Sequence, residues 1–196
     1  MYEQFSNRFG RKMISIHPGE FYVTAGNEII STVLGSCVAV AMFDRAKRVG
    51  GLNHFMLPAS FDQSHMYTSN SGKYGMYAME LLINGLLKAG ANRANLRAKV
   101  FGGGSVLRVR PGNNGRTIPQ SNIEFAMAFL RTEGIPVESS DTGGVNGRKI
   151  LYFAQDHSVK LKRLGSRGIT EVTREEEEYL ATLQTRRPKS SEVELL

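Results

Sequence analysis

The chain has 196 residues, 41% of them hydrophobic, and a net charge of +7. It is long enough for one domain with a sizeable core, and no apolar run reaches the roughly 20 residues that span a bilayer. Its single cysteine excludes an internal disulfide and a multi-cysteine zinc cluster, and its four histidines show no metal-ligand spacing.

The first half of the chain is predicted to be mainly strands. It begins with a polar segment, residues 1–13, that we expect to be flexible and that has no apolar region typical of a signal peptide, so we expect a cytoplasmic protein. The elements predicted next are short strands at 14–16 and 21–23, a buried strand at 33–43 with a turn near its start, a hairpin turn at 44–47, a returning strand at 48–57 and a loop at 59–72.

The second half alternates helices and strands. A helix at 73–89 carries an apolar stripe and is ended by Gly90, and a strand at 96–100 leads into three consecutive glycines. A second helix starts at the capping box Ser121 to Glu124, has Met127 on its inner face and ends at Gly134. The remaining predictions are a polar loop at 108–120 with Arg108, Arg110 and Arg116, strands near 137, 150–153 and 159–161, a short acidic helix at 173–183 and a disordered end at 186–196.

These elements define three parts of the chain: the flexible segment 1–13, a domain at 14–164 and an extension at 165–196. The order of strands, helix, strand, helix and strands favours an α+β fold with antiparallel pairs over a doubly wound parallel sheet.

Cys37 is the first candidate for chemistry, because it follows Gly35 and Ser36 at the start of a run of small apolar residues. A glycine there permits a tight turn and a close approach of substrate to the backbone. Backbone N–H groups after such a turn could form an oxyanion hole. A lone buried cysteine is also a common core residue, so the thiol needs a partner before it indicates catalysis.

His54 is the predicted partner. If residues 44–47 form a four-residue loop, Phe43 pairs with Arg48 and Cys37 falls opposite His54, with Cβ atoms roughly 5 Å apart. A histidine so placed can lower the pKa of the thiol and act as its base. A register slip of one residue would separate the two side chains.

A third group is expected to orient the imidazole or the substrate. Ser31 shares a strand face with Cys37 if the strand is regular, and Thr32 does not, although Gly35 can break that alternation.

The segment 34–40, Leu-Gly-Ser-Cys-Val-Ala-Val, followed by Asp44 and by Gly51-x-x-His54-Phe-Met-Leu-Pro, resembles the CheD family of chemoreceptor glutamine deamidases. Weaker matches follow in the same order: Gly-Lys-Tyr at 72–74, three glycines at 102–104, Asn-Ile at 122–123 and Asp-Thr-Gly-Gly at 141–144. The resemblance runs from about residue 14 to residue 164.

This resemblance implies hydrolysis of particular glutamine side chains to glutamate in methyl-accepting chemotaxis receptors, without a metal or organic cofactor. The family's nucleophile and base correspond to Cys37 and His54. A family threonine a few residues before the cysteine falls on Ser31 when aligned without a gap, and Thr32 is one residue away. The resemblance also implies mixed β-sheets packed together with helices on the outside, similar to bacterial toxin deamidases.

Residues 1–164 carry 20 basic and 11 acidic side chains, which suits an acidic partner such as a receptor rich in glutamate. No nucleic-acid module is recognisable, so nucleic-acid binding is not predicted. One alternative is a regulatory binding protein of the chemotaxis system that contacts receptor or CheC, and another is a Cys–His protease or transpeptidase.

Overall fold

The computed structural model describes residues 1–59, 61–106 and 115–185 of the chain. The strands in these ranges are β1 (Tyr2–Ser6), β2 (Arg11–Ser15), β3 (Phe21–Thr24), β4 (Ile29–Leu34), β5 (Val38–Asp44), β6 (Val49–Asn53), β7 (Arg97–Gly102), β8 (Val137–Thr142), β9 (Arg148–Phe153) and β10 (Ser158–Arg163). The helices longer than one turn are α1 (Asn70–Lys88), α2 (Ile118–Thr132) and α3 (Ser166–Thr185).

The strands form two mixed sheets of five. The first sheet has the order β1-β2-β4-β9-β10 and the second has the order β3-β6-β5-β7-β8. Only β2 with β4 and β7 with β8 are parallel among these pairs. The α+β class predicted from the element order is therefore confirmed.

The second sheet lies in the middle of the molecule, because strand β5 is buried on both faces. Val38, Val40 and Met42 pack with the apolar stripes of α1 and α2. The alternate residues Ala39, Ala41 and Phe43 pack against the first sheet. This alternation of a fully apolar strand produces a helix layer, a central sheet and an outer sheet.

Helix α1 agrees with the predicted stripe, since Met79, Leu82, Ile83 and Leu86 are all buried. Its N-cap is Ser69, whose side chain accepts a hydrogen bond from the Gly72 N–H, and Gly90 follows its end with a φ of 99°. Such a left-handed conformation costs a glycine little, which is why the predicted stop is confirmed.

Helix α2 begins earlier than predicted. Its capping box is formed by Thr117 and Gln120, with a proline in the first turn, so the predicted box starting at Ser121 was wrong. The sequence fits the capping pattern twice, and a proline is favoured at the first helical positions. Met127 was misassigned to the inner face, since it is 37% exposed, whereas Phe125 and Phe129 are buried.

The N-terminal segment 1–13, predicted to be flexible, contributes strand β1 and the start of β2, which pair with Tyr2 opposite Ser15. Strand β1 is exposed almost throughout, so no hydrophobic alternation marked it as a strand. At the other end of the chain, α3 is a 20-residue helix, longer than the predicted helix at 173–183. The division of the chain into three parts stays a prediction.

The predicted disorder at 186–196 and the predicted loop arginines Arg108 and Arg110 lie outside the described residues. Arg116 is described, and it pairs with Glu124 at 2.8 Å. Within the described parts of the chain, no helix combines the length and apolarity that crossing a membrane requires.

Candidate active site

Cys37 lies at the point where the chain passes from one sheet to the other. Strand β4 of the first sheet ends at Leu34, and strand β5 of the second begins at Val38. The segment predicted as one strand at 33–43 is thus two strands joined by a bend at Gly35 and Ser36. The predicted turn is present, and it places Cys37 in the junction between the two sheets.

The carbonyl groups of this bend are all held by the scaffold. The N–H groups of Gly103 and Gly104 donate to the carbonyls of Cys37 and Gly35, each at 2.7 Å. The Asn122 amide on α2 donates to the carbonyl of Ser36 at 2.8 Å. With the Gly35 and Ser36 carbonyls turned toward the scaffold, the N–H groups of the same peptide units, those of Ser36 and Cys37, can bind an acceptor on the other side.

The glycine run at 102–104 forms a tight loop beside the bend, with Gly103 and Gly104 bonded to it. Gly102 has a φ of 115°, and a Cβ atom there would lie 2.1 Å from the carbonyl oxygen of Cys37. A side chain is therefore excluded at this position by the close approach of the two backbones.

His54 reaches the same junction from the end of strand β6, although the predicted register was wrong. Asp44 pairs with Val49, and an isolated bridge joins Val38 to Phe55. The four-residue turn is thus 45–48, and its first flanking residue, Asp44, accepts a hydrogen bond from the Lys47 N–H. The register differs from the prediction by two residues, which leaves Cys37 and His54 on one face because side chains alternate with a period of two.

The predicted pair consequently meets along a diagonal rather than directly across the ladder. The thiol of Cys37, a ring nitrogen of His54 and a carboxylate oxygen of Glu176 all lie within 4.8 Å of one another. Cys37 and His54 are 0% and 2% exposed. A thiol and an imidazole at this separation can act as a nucleophile and its base after a small movement of either side chain.

The hydroxyl beside His54 belongs to Thr32. Its Oγ1 atom donates to the carbonyl of Ile16 at 2.7 Å and lies 2.7 Å from Nδ1 of His54. Since its one proton goes to the carbonyl, the hydroxyl accepts the second bond from an Nδ1–H group. His54 is then the tautomer with a bare Nε2, and this buried atom has no hydrogen-bond partner among the described residues.

Ser31, the residue predicted for the third role, lies next to Thr32 on β4 and makes no hydrogen bond to His54 in the described part of the chain. It is opposite Ser15 of β2 and Leu151 of β9 in the first sheet, and it lines a small cavity with Thr32 and His54. The choice of Ser31 assumed that side chains alternate regularly from β4 to Cys37, and the bend at Gly35 interrupts that alternation. The hydroxyl that bonds His54 is therefore that of Thr32.

Glu176 is a site residue that the sequence analysis missed. Its carboxylate, on helix α3, accepts hydrogen bonds from the backbone N–H groups of Gly35, Ser36 and Cys37 at 2.9, 2.7 and 3.0 Å, and from the Ser36 hydroxyl at 2.7 Å. This glutamate is 1% exposed. The four donors show that the bend is an anion-binding site of the kind that stabilises an oxyanion.

Electrostatics keep the resting pair uncharged. Burial, followed by repulsion from and hydrogen bonding to Glu176, raises the pKa of the Cys37 thiol well above its ordinary value. Burial, with a smaller contribution from His17, lowers the pKa of His54 to about 3. At neutral pH the site therefore holds a thiol and a neutral imidazole while Glu176 is in place.

By spacing, Cys37, His54 and Glu176 could also hold a metal ion such as zinc, since each offers a suitable donor atom. Both carboxylate oxygens, however, already accept hydrogen bonds from the bend. The arrangement therefore fits a carboxylate anion bound by the N–H groups of the bend, with the thiol and the imidazole beside it, better than it fits a metal site.

A cavity of about 80 Å³ borders the other side of the imidazole. Its lining includes Thr32 and His54 together with polar residues of neighbouring elements, namely Ser15, His17, Ser31, Lys149 and Glu175. A cavity of this size with several polar residues in its lining has room for water.

Comparisons with known proteins all indicate one family, and they cover most of the chain. Residues 56–163 match the family model described as CheD chemotactic sensory transduction. Three similar proteins carry the name "Probable chemoreceptor glutamine deamidase CheD". The one from Herminiimonas arsenicoxydans is 43% identical, and the match covers 92% of this chain and 88% of the relative. The one from Saccharophagus degradans is 42% identical, covering 100% of this chain and 89% of the relative, and the one from Bordetella parapertussis is 47% identical, covering 82% and 74%.

Proposed function

The chain belongs to the CheD family, and from this membership we propose that it deamidates glutamine side chains of methyl-accepting chemotaxis receptors to glutamate in the cytoplasm. The names of the relatives support the substrate and the reaction. The supporting observation within the chain is the contact of Thr32 with His54 at 2.7 Å, because it leaves a bare imidazole nitrogen beside Cys37.

In the first half-reaction, Nε2 of His54 takes the proton of the Cys37 thiol, and the thiolate attacks Cδ of the substrate glutamine. The backbone N–H groups of the bend at 35–37 hold the oxyanion that develops on the amide oxygen. The C–N bond then breaks as His54 returns its proton to the leaving nitrogen, which departs as ammonia and leaves a thioester on Cys37.

In the second half-reaction, His54 takes a proton from water, and the resulting hydroxide attacks the thioester carbonyl. The same N–H groups hold the second oxyanion, and the thiolate leaves and recovers its proton from His54. The cavity of about 80 Å³ beside the imidazole is a source for this water. The overall reaction converts an amide and one water to a carboxylic acid and ammonia, and it requires no metal or organic cofactor.

Thr32 takes the orienting role in this mechanism, in place of the predicted Ser31. Its hydroxyl fixes the imidazole tautomer by accepting from Nδ1 and is itself fixed by the carbonyl of Ile16. Partners of this kind, which act through the ring they orient, support the base without touching the substrate.

The test is incubation of the full chain with an equimolar receptor cytoplasmic fragment, followed by mass spectrometry of the fragment. Conversion of a glutamine raises the mass of the fragment by about one dalton, which distinguishes deamidation from cleavage by a Cys–His protease. Loss of this conversion in Cys37→Ala would support the mechanism. Binding of receptor or CheC without any mass change would instead favour a regulatory binding protein. The likeness in fold to bacterial toxin deamidases stays a prediction.

A further inference from the structure

Helix α3 covers the candidate active site and fills it with one side chain. From residue 168 onward its buried side chains, 1–8% exposed, are those of Val172, Glu176, Leu180 and Leu183. Their spacing of four, four and three residues places them on one face. A glutamate at the second position of an apolar stripe has a high desolvation cost unless its charge is paired or hydrogen-bonded.

The bend at 35–37 offsets that cost. Four donors contact the Glu176 carboxylate, three of them the backbone N–H groups that the proposed mechanism assigns to the oxyanion. A carboxylate oxygen also lies within 4.8 Å of the Cys37 thiol. A glutamate side chain held by the oxyanion donors beside the nucleophile has the position and the chemistry of the product of glutamine deamidation.

The rest of α3 is fitted to the same surface. The hydroxyl groups of Tyr179 and Tyr74 are hydrogen-bonded, and the amide of Gln184 donates to the carbonyl of Pro58 at 3.3 Å. A Cβ atom added at Gly35 would lie 2.7 Å from a Glu176 oxygen. The groove thus accepts a helix closely and admits one long side chain to the thiol.

We propose that α3 is bound as a product analogue within its own chain, and that the groove it fills is the docking surface for a substrate helix. That substrate presents a glutamine where α3 presents Glu176, with apolar side chains four residues before it and four and seven residues after it. Helix α3 must leave before the substrate enters, so the full chain is held in an inhibited state. This inference rests on the proposed function and specifies its substrate as a glutamine on a helix.

Glu176 also keeps the nucleophile inactive while it is bound. A carboxylate beside Cys37 opposes formation of a second negative charge, which adds to burial in raising the pKa of the thiol. A neutral glutamine in the same place removes that repulsion and supplies the amide on which the thiolate acts.

The decisive variant is therefore Glu176→Gln in the full chain. The introduced amide lies where the substrate amide would lie, so Cys37 attacks its Cδ, ammonia leaves with the proton returned by His54, and water cleaves the thioester. The product is the wild-type glutamate at position 176. Because enzyme and substrate are one chain, the reaction is independent of protein concentration.

Tandem mass spectrometry localised to position 176 gives the readout. We expect the Glu176→Gln chain to gain about one dalton at that position, and the Cys37→Ser/Glu176→Gln double variant to gain nothing there. The matched control is Glu177→Gln, on the same helix but exposed to solvent, whose introduced amide should persist. Equal loss of the amide in Glu177→Gln would overturn the inference. Persistence of the amide in Glu176→Gln would also overturn it if Glu176→Lys gives no faster alkylation of Cys37.

A second measurement keeps the inference testable if the amide is badly aligned for attack. Glu176→Lys places a cation against four hydrogen-bond donors and removes the charge-assisted bonds that hold the helix, so α3 should leave the groove. Alkylation of Cys37 by iodoacetamide should then accelerate by at least about tenfold, the rate equivalent of about 1.4 kcal/mol. The matched control Glu177→Lys should alkylate at the wild-type rate, and equal rates in the two variants would contradict the docked helix.

The receptor fragment separates failure of the inference from failure of the proposed function. If the chain converts receptor glutamines but neither the introduced amide reacts nor alkylation accelerates, the deamidase function stands and the role of α3 is wrong. If Glu176→Lys exposes Cys37 and no receptor glutamine is converted, α3 covers the thiol as described and the proposed reaction is wrong.

Discussion

Replacing Thr32 by valine removes the hydroxyl that joins His54 to the carbonyl of Ile16 while nearly preserving the side-chain shape. Thr32 is 2% exposed, and its Oγ1 atom makes two hydrogen bonds of 2.7 Å. The substitution leaves a buried carbonyl and a buried imidazole N–H without partners, at about 1–3 kcal/mol each, so the free energy of unfolding should fall by about 2–6 kcal/mol.

The loss of activity should exceed what unfolding explains. Without its acceptor, the imidazole can adopt the other tautomer and other ring orientations, and orienting partners of this kind contribute about 10–100-fold. We expect the kcat for receptor-fragment deamidation to fall by that factor at a temperature where urea titration shows the variant folded, while KM changes little because Thr32 does not line the proposed substrate groove.

Two matched variants identify the cause. Thr32→Ser retains the hydroxyl and should keep kcat within about threefold of wild type, since only a methyl group is lost. Ser31→Ala should have a smaller effect on kcat than Thr32→Val. A crippled Ser31→Ala chain beside an active Thr32→Val chain would refute the assignment of the orienting role to Thr32.

Three further predictions concern stability. Burial lowers the pKa of His54 to about 3, well below its unfolded value of about 6.5. Below pH 6.5 the unfolded chain therefore takes up a proton that the folded chain does not, and the free energy of unfolding should fall by up to about 1.4 kcal/mol per pH unit as the pH falls toward 3. Urea titrations at pH 6.5 and 5.5 should show a shallower pH dependence in His54→Gln, and an unchanged slope would mean that the pKa of His54 is not lowered by folding. In Gly35→Ala the new Cβ would lie 2.4 Å from a Val106 methyl group, so the free energy of unfolding in denaturant titrations should fall by about 1–3 kcal/mol. The control Gly165→Ala has open space around its Cβ and should not be destabilised. Similar values for both variants would argue against close packing at the bend. Asn122→Ala leaves the Ser36 carbonyl and the Leu57 N–H unpaired and should lower the free energy of unfolding by about 2–6 kcal/mol. The control Met127→Ala, on the exposed side of the same helix, should lower it by less than about 0.5 kcal/mol, and an equally small effect in Asn122→Ala would show that the bend is held by other contacts.

The sequence predicted the meeting of Cys37 and His54 with a wrong register, and the reason lies in the period of a strand. The turn was placed one residue too early because Asp44 is a typical turn residue, whereas here its buried carboxylate accepts from the N–H groups of Lys47 and Asn92. A shift of two residues in pairing preserves the face of each side chain. A shift of one residue in the pairing would have placed the thiol and the imidazole on opposite faces of the sheet.

Thr32 and Glu176 could not be assigned by strand periodicity, because each reaches the site through contacts between elements. Thr32 belongs to the first sheet and His54 to the end of a strand in the second, so packing of the two sheets brings them together. Glu176 is 139 residues from Cys37 along the chain. Its only sequence signal is the replacement of an apolar residue in the stripe of α3, which is ambiguous in a segment with four consecutive glutamates.

The most direct test of the proposed catalysis is ammonia release from a receptor cytoplasmic fragment, measured together with glutamate formation by mass spectrometry. We expect one ammonia for each glutamine converted, faster turnover with Glu176→Lys than with the wild-type chain, and a loss of turnover of at least about a thousandfold when Cys37→Ala is introduced into either chain. Ammonia release that persists at full rate without the Cys37 thiol would contradict it.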